Sequence, residues 1–452
     1  MCGRTAPSET TPIWAMRAAS RRSEKGLGDR DAAPADSLPP EMVILLWHGY
    51  LLAGTGSNVY TQALAREWSR SGHDVTVVCQ EPHPEAFDLA GARVVRPELP
   101  DGLLPTFILD RYAGLEPKLL QECSRGERER YVEANAQALR ELAPADLVFA
   151  NHVLLGGAVG AASGLRYAVK AHGSELEYSM RGNPELSEWG RAALARAEAV
   201  FVGSAHIRAV LEEVVGHVDR VHEVPPGVDV DEFRIEDRTT ALAELLDEAR
   251  KDPPNPGNTH ERLPDEGNAE RLADWFAGDE PTVLYFGKLL YNKGVHVLFE
   301  ALREVEARAL IVGFGDYRQE LEAQAPPRTL FTGPLEHRHL VHLLPLCDVA
   351  VVPSIFPEAF GMVAAEAAAA GCPPLVARHS GLAEIAEGLE DEYPPELREL
   401  TSFRNGDAAD LAAKLRRLLD LPPGTLAEPA RRAVVRRWSW HSVAERLLQP
   451  FH

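Results

Sequence analysis

Apolar positions recur along this chain in two modes. Short runs apolar at nearly every position, VILLW from Val43, VTVV from Val75, LVFA from Leu147, AVFV from Ala199, TVLYF from Thr282, ALIV from Ala309 and VAVV from Val349, have the character of strands buried on both faces. Longer segments between them carry apolar residues on one face only. Examples are NVYTQALAREWSRSG after Ser57, residues 127–142 and 185–196, AHIRAVLEEVV from Ala205, and residues 407–419 and 427–437. Strand, glycine-bearing loop, helix and strand in repeated succession is the grammar of parallel βαβ units, because a parallel pair needs a crossover. The expected class is therefore α/β.

The grammar starts at Met42, breaks after VHEVPPGVD, and restarts at Thr282. We therefore expect a disordered tail over 1–40, a first domain over 41–228, a linker and insertion over 229–280, a second domain over 281–428, and a last helix over 429–452 packing back on the first domain. The tail is rich in Ser, Pro, Ala, Arg and Asp, and Met42 reads as the natural start. Residues 94–120 read as loop, with GLLPTFILDRY folding back as core. Within 235–280, two short amphipathic helices at 241–250 and 269–277 flank PPNPGNTHERLPDEGN, whose Pro, Gly and Asn demand irregular backbone. A lid, a partner surface and a plain insertion are all open there.

Candidate chemistry sits at the strand ends. The stretch VPSIFPEAFGMVAAEAAAAG runs from a buried strand through a short loop into an alanine-rich helix, with Glu358 in the loop and Glu366 in the helix. Eight helical residues would separate two carboxylates by about 12 Å, against the ~5 Å of a retaining glycosidase pair, so the two glutamates have separate jobs. The helix start at Phe360, Gly361 and Met362 is a seat for an anion, and Gly361 lets a ligand approach the backbone. Lys288 and Lys293 flank the loop after TVLYFG and precede a helix, a pattern suited to a diphosphate. In the first half Gly54 and Gly56 bracket the loop after VILLWHGY. A dinucleotide fingerprint needs a third glycine where Val59 stands. His172 and Glu175 follow the strand RYAVK, at the end where open parallel sheets bind ligands.

The order of these features resembles glycosyltransferase family 4, over about Val43 to Phe451 apart from 235–280. The resemblance implies a GT-B fold, two facing Rossmann-like domains with a cleft between them. It implies a retaining, metal-independent transfer of a hexose from a nucleoside diphosphate sugar, UDP or GDP, to a hydroxyl acceptor. Carried over residue by residue, Glu358 and His172 lie by the donor sugar and Glu366 holds the ribose. Gly54 and Gly56 approach the diphosphate, as do Lys288 and Lys293, and Leu335 touches the base. The first basic position is usually Arg in the family, and Lys288 loses its bidentate geometry. Gly287, Gly313 and Gly315 are expected to admit the nucleotide backbone. Retention implies front-face displacement, in which the departing phosphate helps deprotonate the acceptor. Asp229 and Asp231 mimic the DxD metal motif of a different transferase fold, and no metal or cofactor is expected here.

Composition narrows the partners. A net charge of −21 with no long basic run argues against nucleic acid. Five scattered cysteines without a CxxC pair argue against a disulfide framework or zinc site. No stretch spans a bilayer and the N-terminus lacks a signal-peptide centre, so the expected location is the cytoplasm or the inner face of a membrane. No basic amphipathic helix supports membrane contact, and the acceptor is open among small molecule, glycan and lipid. Two rival readings stand beside the transferase. One is a non-catalytic nucleotide-sugar binder or transferase partner. The other is a nicotinamide dehydrogenase using Glu81 as its acid, which leaves the paired glutamates unexplained.

Overall fold

The apolar runs assemble into two parallel sheets in the computed structural model, which describes residues 42–52, 56–107 and 115–452. In the first half, β1 (Val43–Trp47) leads through α1 (Gly56–Arg70) to β2 (Asp74–Val78) and β3 (Arg93–Val95). A small pair, β4 (Leu103–Thr106) and β5 (Glu116–Leu119), precedes α2 (Arg125–Glu141) and β6 (Leu147–Asn151). Then come α3 (Gly157–Ser163), β7 (Tyr167–Lys170), α4 (Pro184–Leu194), β8 (Ala199–Val202), α5 (Ala205–Val215) and β9 (Val221–Glu223). Ser124 caps α2 in a reciprocal capping box with Glu127, and Asn183 and Ser204 cap α4 and α5. The seven strands order as β3-β2-β1-β6-β7-β8-β9. Sequence order therefore reverses between β1 and β6, which pair in parallel from Ile44↔Leu147 to Trp47↔Ala150.

The second half repeats the plan. It contains α6 (Arg238–Ala249), α7 (Asn268–Phe276), β10 (Thr282–Phe286), α8 (Val295–Leu302), β11 (Arg308–Val312), α9 (Arg318–Gln324) and β12 (Thr329–Phe331). There follow α10 (His337–Leu343), β13 (Val349–Val352), α11 (Met362–Ala369), β14 (Pro374–Ala377), α12 (Ser380–Glu390), β15 (Ser402–Phe403) and α13 (Ala408–Leu419). Two final helices are α14 (Ala427–Arg437) and α15 (Trp440–Leu448). Its strands order as β12-β11-β10-β13-β14-β15, with the reversal between β10 and β13. Open sheets bind ligands outside the strand C-termini at such reversals. The fold thus offers two sites, one per sheet.

Two expectations change. The segment 229–280 is neither lid nor free insertion. Phe233, Ala241, Leu245, Leu272 and Phe276 are buried in the second core, and the irregular stretch is organised by buried Asn255. Its Nδ2 donates to the carbonyls of His260 and Pro264, and its Oδ1 accepts from His260 N. A side-chain amide here satisfies backbone groups that regular structure would otherwise pair. Residues 94–120 are not loop throughout, because β4 and β5 pair in parallel with Leu104, Phe107 and Leu120 buried beneath.

The chain crosses between the domains twice, and the crossings run together. Val228 N donates to Trp438 O at 2.7 Å and Trp440 N to Val228 O at 3.3 Å. A Cβ on Gly227 would sit 2.4 Å from the Trp440 ring, so only glycine allows this crossing. Beyond it the final helices part company. α14 packs on α11 of the second domain, whereas α15 packs on α1 of the first, with Trp68 Nε1 donating to Ala444 O at 3.1 Å. On the other side, the Glu384 carboxylate of α12 accepts from Ala205 N at 2.9 Å. That contact joins the C-terminal edges of the two sheets.

Candidate functional site

At the first reversal three histidines converge from the ends of three neighbouring strands. His48 follows β1, His152 follows β6 and His172 lies just beyond β7. The ring centroids of His152 and His172 are 4.8 Å apart, and those of His48 and His152 are 6.1 Å apart. Tyr50 and Phe107 close over His152 with centroids at 5.6 and 4.9 Å. Burial makes charging costly here. It pushes the His48 imidazole down to about 3, with His152 adding to the effect. Burial likewise holds His172 far below its usual value, reinforced by His152, Lys170 and His48.

The tautomer of His172 follows from its partner. Asn151 Nδ2 donates to Thr61 Oγ1, so its Oδ1 accepts, and it lies 2.6 Å from His172 Nε2. Nε2 therefore carries the proton, and neutral Nδ1 is left with a lone pair, an acceptor for a hydroxyl. Glu175, expected beside His172 for chemistry, acts as a clamp instead. It is fully buried, its Oε1 accepts from His172 N (3.0 Å) and Val153 N (3.3 Å), and its Oε2 meets His152 Nδ1 at 3.3 Å. Burial raises its carboxyl, but His152 and the backbone donors outweigh that and hold it below its usual value. His152 has φ +71° and Leu155 φ +57°, left-handed backbone that these residues rarely adopt, in a wide turn between β6 and α3. His48 and His152 escaped the sequence reading. The available signal was a histidine directly after each of two strands that prove adjacent.

At the second reversal the site is ionic. Lys293 Nζ lies 2.5 Å from Glu358 Oε1, joining the loop after β10 to the loop after β13. The two loops meet tightly: a Cβ on Gly294, φ +71°, would sit 1.9 Å from Pro353 O. Glu358 is fixed through its backbone as well, its N donating to Ser380 Oγ (2.9 Å) and its O accepting from Gly381 N (3.0 Å) at the start of α12. Lys288 is exposed in the same loop, five residues earlier, without an ion pair among the described residues. Gly361 caps α11 at φ +115°, and a Cβ there would meet Leu382 at 2.7 Å. Met362 opens the helix, partly exposed. Phe360 differs from the others, because its side chain is buried against Trp438 and only its backbone faces the helix start.

Glu366 lies five residues into α11 and takes no side-chain hydrogen bond among the described residues. Burial pushes its carboxyl up to about 7, with His337 pulling the other way. Leu335 is buried, 8% exposed, and counts as core. Gly287, Gly313 and Gly315 make room for one another's loops: a Cβ on Gly313 would meet Gly287 O at 1.8 Å, and one on Gly315 would meet Leu289 O at 2.4 Å. Gly54 lies outside the described residues. Gly56 is exposed at the first residue of α1, with nothing near a Cβ.

Local bonding also occupies two of the other candidate carboxylates. Asp229 Oδ1 accepts from the N–H of Asp231 and Glu232, and its Oδ2 meets Arg66 at 2.6 Å, so both carboxylate oxygens of Asp229 are engaged within the protein. Among the described residues no group of three or more His, Cys, Asp or Glu side chains is placed to hold a metal ion. Glu81 accepts from Leu52 N and His83 N, which makes it a brace for the β1–α1 loop. No helix among the described residues is long and apolar enough to cross a membrane.

Known proteins resemble this chain in sequence and in fold. Residues 270–434 match the family described as glycosyl transferases group 1, and residues 55–227 match the glycosyl transferase 4-like domain. A D-inositol 3-phosphate glycosyltransferase of Xylanimonas cellulosilytica is 35% identical over 179 residues, 37% of this chain and 37% of that protein. A glycogen synthase of Mycobacterium tuberculosis is 34% identical over 181 residues, 37% of this chain and 42% of that protein. The matched stretch thus spans well under two thirds of either relative. A D-inositol 3-phosphate glycosyltransferase of Mycobacterium bovis aligns over 98% of this chain and 89% of its own length, at 26% identity. Among solved structures, Anabaena HepE in complex with UDP and glucose superposes with a TM-score of 0.61 at 18% identity, covering 90% of this chain and 99% of that one. Sucrose-phosphate synthase from Thermosynechococcus elongatus gives 0.59 at 21%, covering 90% and 97%.

Proposed function

Because the chain belongs to the glycosyltransferase family 4-like proteins and has their two-domain GT-B fold, we propose that it transfers a hexose, with retention and without a metal, from UDP-sugar or GDP-sugar to a hydroxyl acceptor. The observation that carries this reading is the Lys293–Glu358 pair at the second reversal. An ammonium has three donors, so Lys293 can hold Glu358 and still donate to a diphosphate oxygen. Glu358 then stands beside the group attached to that phosphate, which is the sugar. Lys288 and the α11 N-terminus add positive potential where charge develops on the leaving group.

The step breaks the C1–O bond to the β-phosphate and forms the C1–O bond to the acceptor on the same face. The acceptor proton passes to the departing phosphate oxygen, and the diphosphate leaves with the electron pair. No enzymic base is required, in keeping with a His172 that is neutral and an orienting Glu175. His172 Nδ1 accepts from a sugar hydroxyl, Glu358 and the amides of Phe360 to Met362 hold the sugar, and Glu366 holds the ribose. HepE bound to UDP supports a uridine donor. The inositol-phosphate and sucrose-phosphate relatives support a sugar or phosphosugar acceptor.

The test is a thermal-shift screen, without metal, of UDP, GDP, ADP and their glucose, mannose and N-acetylglucosamine conjugates, repeated with Glu366→Ala. Stabilisation by one nucleotide family, lost in the variant, is expected. Binding without turnover on any sugar or phosphosugar would favour a non-catalytic nucleotide-sugar binder, the reading that the unpartnered Lys288 favours. No shift from any of them would overturn the donor reading.

A further inference from the structure

The two domains meet on two sides. On one side lies the crossing, where Val228 N donates to Trp438 O, Trp440 N donates to Val228 O and Arg66 pairs with Asp229. On the other, at the C-terminal edges of the sheets, the hydrogen bonding between domains among the described residues comes down to Ala205 N donating to Glu384 Oε1 at 2.9 Å. Each partner in that bond belongs to a helix that shapes one of the two reversal sites.

Glu384 stands in α12, whose first turn grips the loop of Glu358. Ser380 Oγ accepts from Glu358 N (2.9 Å), and Gly381 N donates to Glu358 O (3.0 Å). A Cβ on Gly381 would meet Ala359 O and Phe360 N at 2.6 Å, so helix and loop lie in direct contact. Ser380 keeps this grip at φ +47°, left-handed backbone that a serine rarely adopts. Ala205 is the first residue of α5. Ser204 Oγ takes the N–H of Ile207 and Glu384 takes that of Ala205, so the cap of α5 is completed from the other domain. Ile207 packs on Gly173, where a Cβ would come within 3.2 Å of Ile207 Cδ1, and Gly173 follows His172 in the chain. Contacts therefore run unbroken from Glu358 through α12, Glu384 and α5 to the loop of His172.

We propose that Glu384 is a positioning residue of the transfer: by accepting from Ala205 N it latches the cleft side of the two domains and sets the Glu358 loop against His172 across the sugar. The inference takes the roles of Glu358 and His172 from the reading above. Domains joined by a crossing on one side and so little on the other move relative to one another, which makes the crossing a hinge and this bond its latch. A hydrogen bond from an amide to a carboxylate shifts an equilibrium by about tenfold to a hundredfold. That is enough to favour the latched arrangement and weak enough to release for substrate entry and product exit.

The experiment compares the full-length protein with Glu384→Ala, Glu384→Gln, Ala205→Pro and the double variant Ala205→Pro with Glu384→Ala. The measurements are small-angle X-ray scattering, thermal melting, and calorimetry with UDP, GDP and ADP. Proline removes the N–H of residue 205 yet suits the first position of a helix, and Ser204 before it is already extended (φ −167°, ψ 165°). Glu384→Ala and Ala205→Pro should each shift the joint toward open by about tenfold or more, read as a larger radius of gyration with melting little changed. Glu384→Gln still offers an oxygen to Ala205 N and should keep the wild-type radius. The double variant should expand no further than either single one, because both remove the same bond. Affinity for whichever nucleotide binds should stay within about twofold of wild type, because its seats lie in the second domain, away from the bond. A radius unchanged in both single variants, expansion in Glu384→Gln equal to that in Glu384→Ala, or additive expansion in the double variant overturns the latch. If none of UDP, GDP and ADP binds the wild type, the donor reading falls and the positioning role falls with it, while the radius still decides whether Glu384 holds the domains together.

Discussion

The two reversal sites are built from the same topology and opposite chemistry. The first is buried and aromatic: histidines packed against Tyr50 and Phe107, with the one carboxylate engaged by backbone N–H groups and by His152. The second is ionic and partly open: two lysines, two glutamates and a helix start, with Lys293 and Glu358 about a quarter exposed. Under the proposed transfer the difference divides the labour: cations and a helix start serve the leaving diphosphate where charge develops, and the neutral His172 serves a sugar hydroxyl as an acceptor.

The sharpest way to break the comparison is at Glu358. Glu358→Ala should lower transfer by at least about a hundredfold, the scale of losing one preorganised polar contact in an active site. Tm should stay within a few degrees, because the backbone of residue 358 keeps its bonds to Ser380 and Gly381. Activity within a few-fold of wild type would sink the assignment. Next, Lys293→Ala should weaken binding of the nucleotide sugar by about 2 kcal/mol, roughly thirtyfold by calorimetry, since a charged donor is lost and Glu358 is left unpaired. Lys288→Arg tests the departure from the family pattern and should tighten diphosphate binding slightly.

Two further predictions use pH, with opposite signs for the two sites. A buried neutral histidine has a folded value below its unfolded one, so its contribution is present above about 6.5 and is lost as pH falls. With His48 pushed down to about 3, acid melting should begin below about 6.5, at about 1.4 kcal/mol per pH unit for each such histidine at most. His48→Gln should flatten that slope. Glu366 is the reverse case. Its folded value stands at about 7 against an ordinary 4.5, so stability is lost as pH rises through 7. Glu366→Gln should melt higher than wild type at pH 8 while binding donor less well, and equal melting at pH 8 would show the carboxyl to be well solvated. The smallest effect on stability is expected at Gly56, where Ala meets open space; Gly56→Ala should change unfolding stability by less than about 0.5 kcal/mol, so any loss of donor affinity in it reports the expected approach to the diphosphate.

Much of this was legible in the pattern of residues, and what was missed has one cause. Lys293, Glu358, Gly361 and Glu366 lie within two short segments whose strand-loop-helix character is local, so their placement follows from periodicity and from glycine at a helix start. Phe360 was read for its backbone at the helix start, and what the sequence did not show is that its side chain packs in the core against Trp438, a partner 78 residues away in the chain. His48 and His152 were not read at all, because a histidine after a strand says nothing until the strand order is known. Asp229 resembled a metal ligand until Arg66 and the turn's own N–H groups were seen to occupy it.

By itself the sequence determined the α/β alternation, the break in it after VHEVPPGVD and the strand-loop-helix character of the segments that carry the candidate site, since all of these are set by neighbours along the chain. Only the tertiary structure decided that β1 lies beside β6 and β10 beside β13, that 238–276 belongs to the second core, and that α14 stays with the second domain while α15 alone returns to the first. Those are choices among long-range pairings of equally apolar surfaces. They fix which histidines meet, which of them stay uncharged, and which carboxyl is left waiting for a partner.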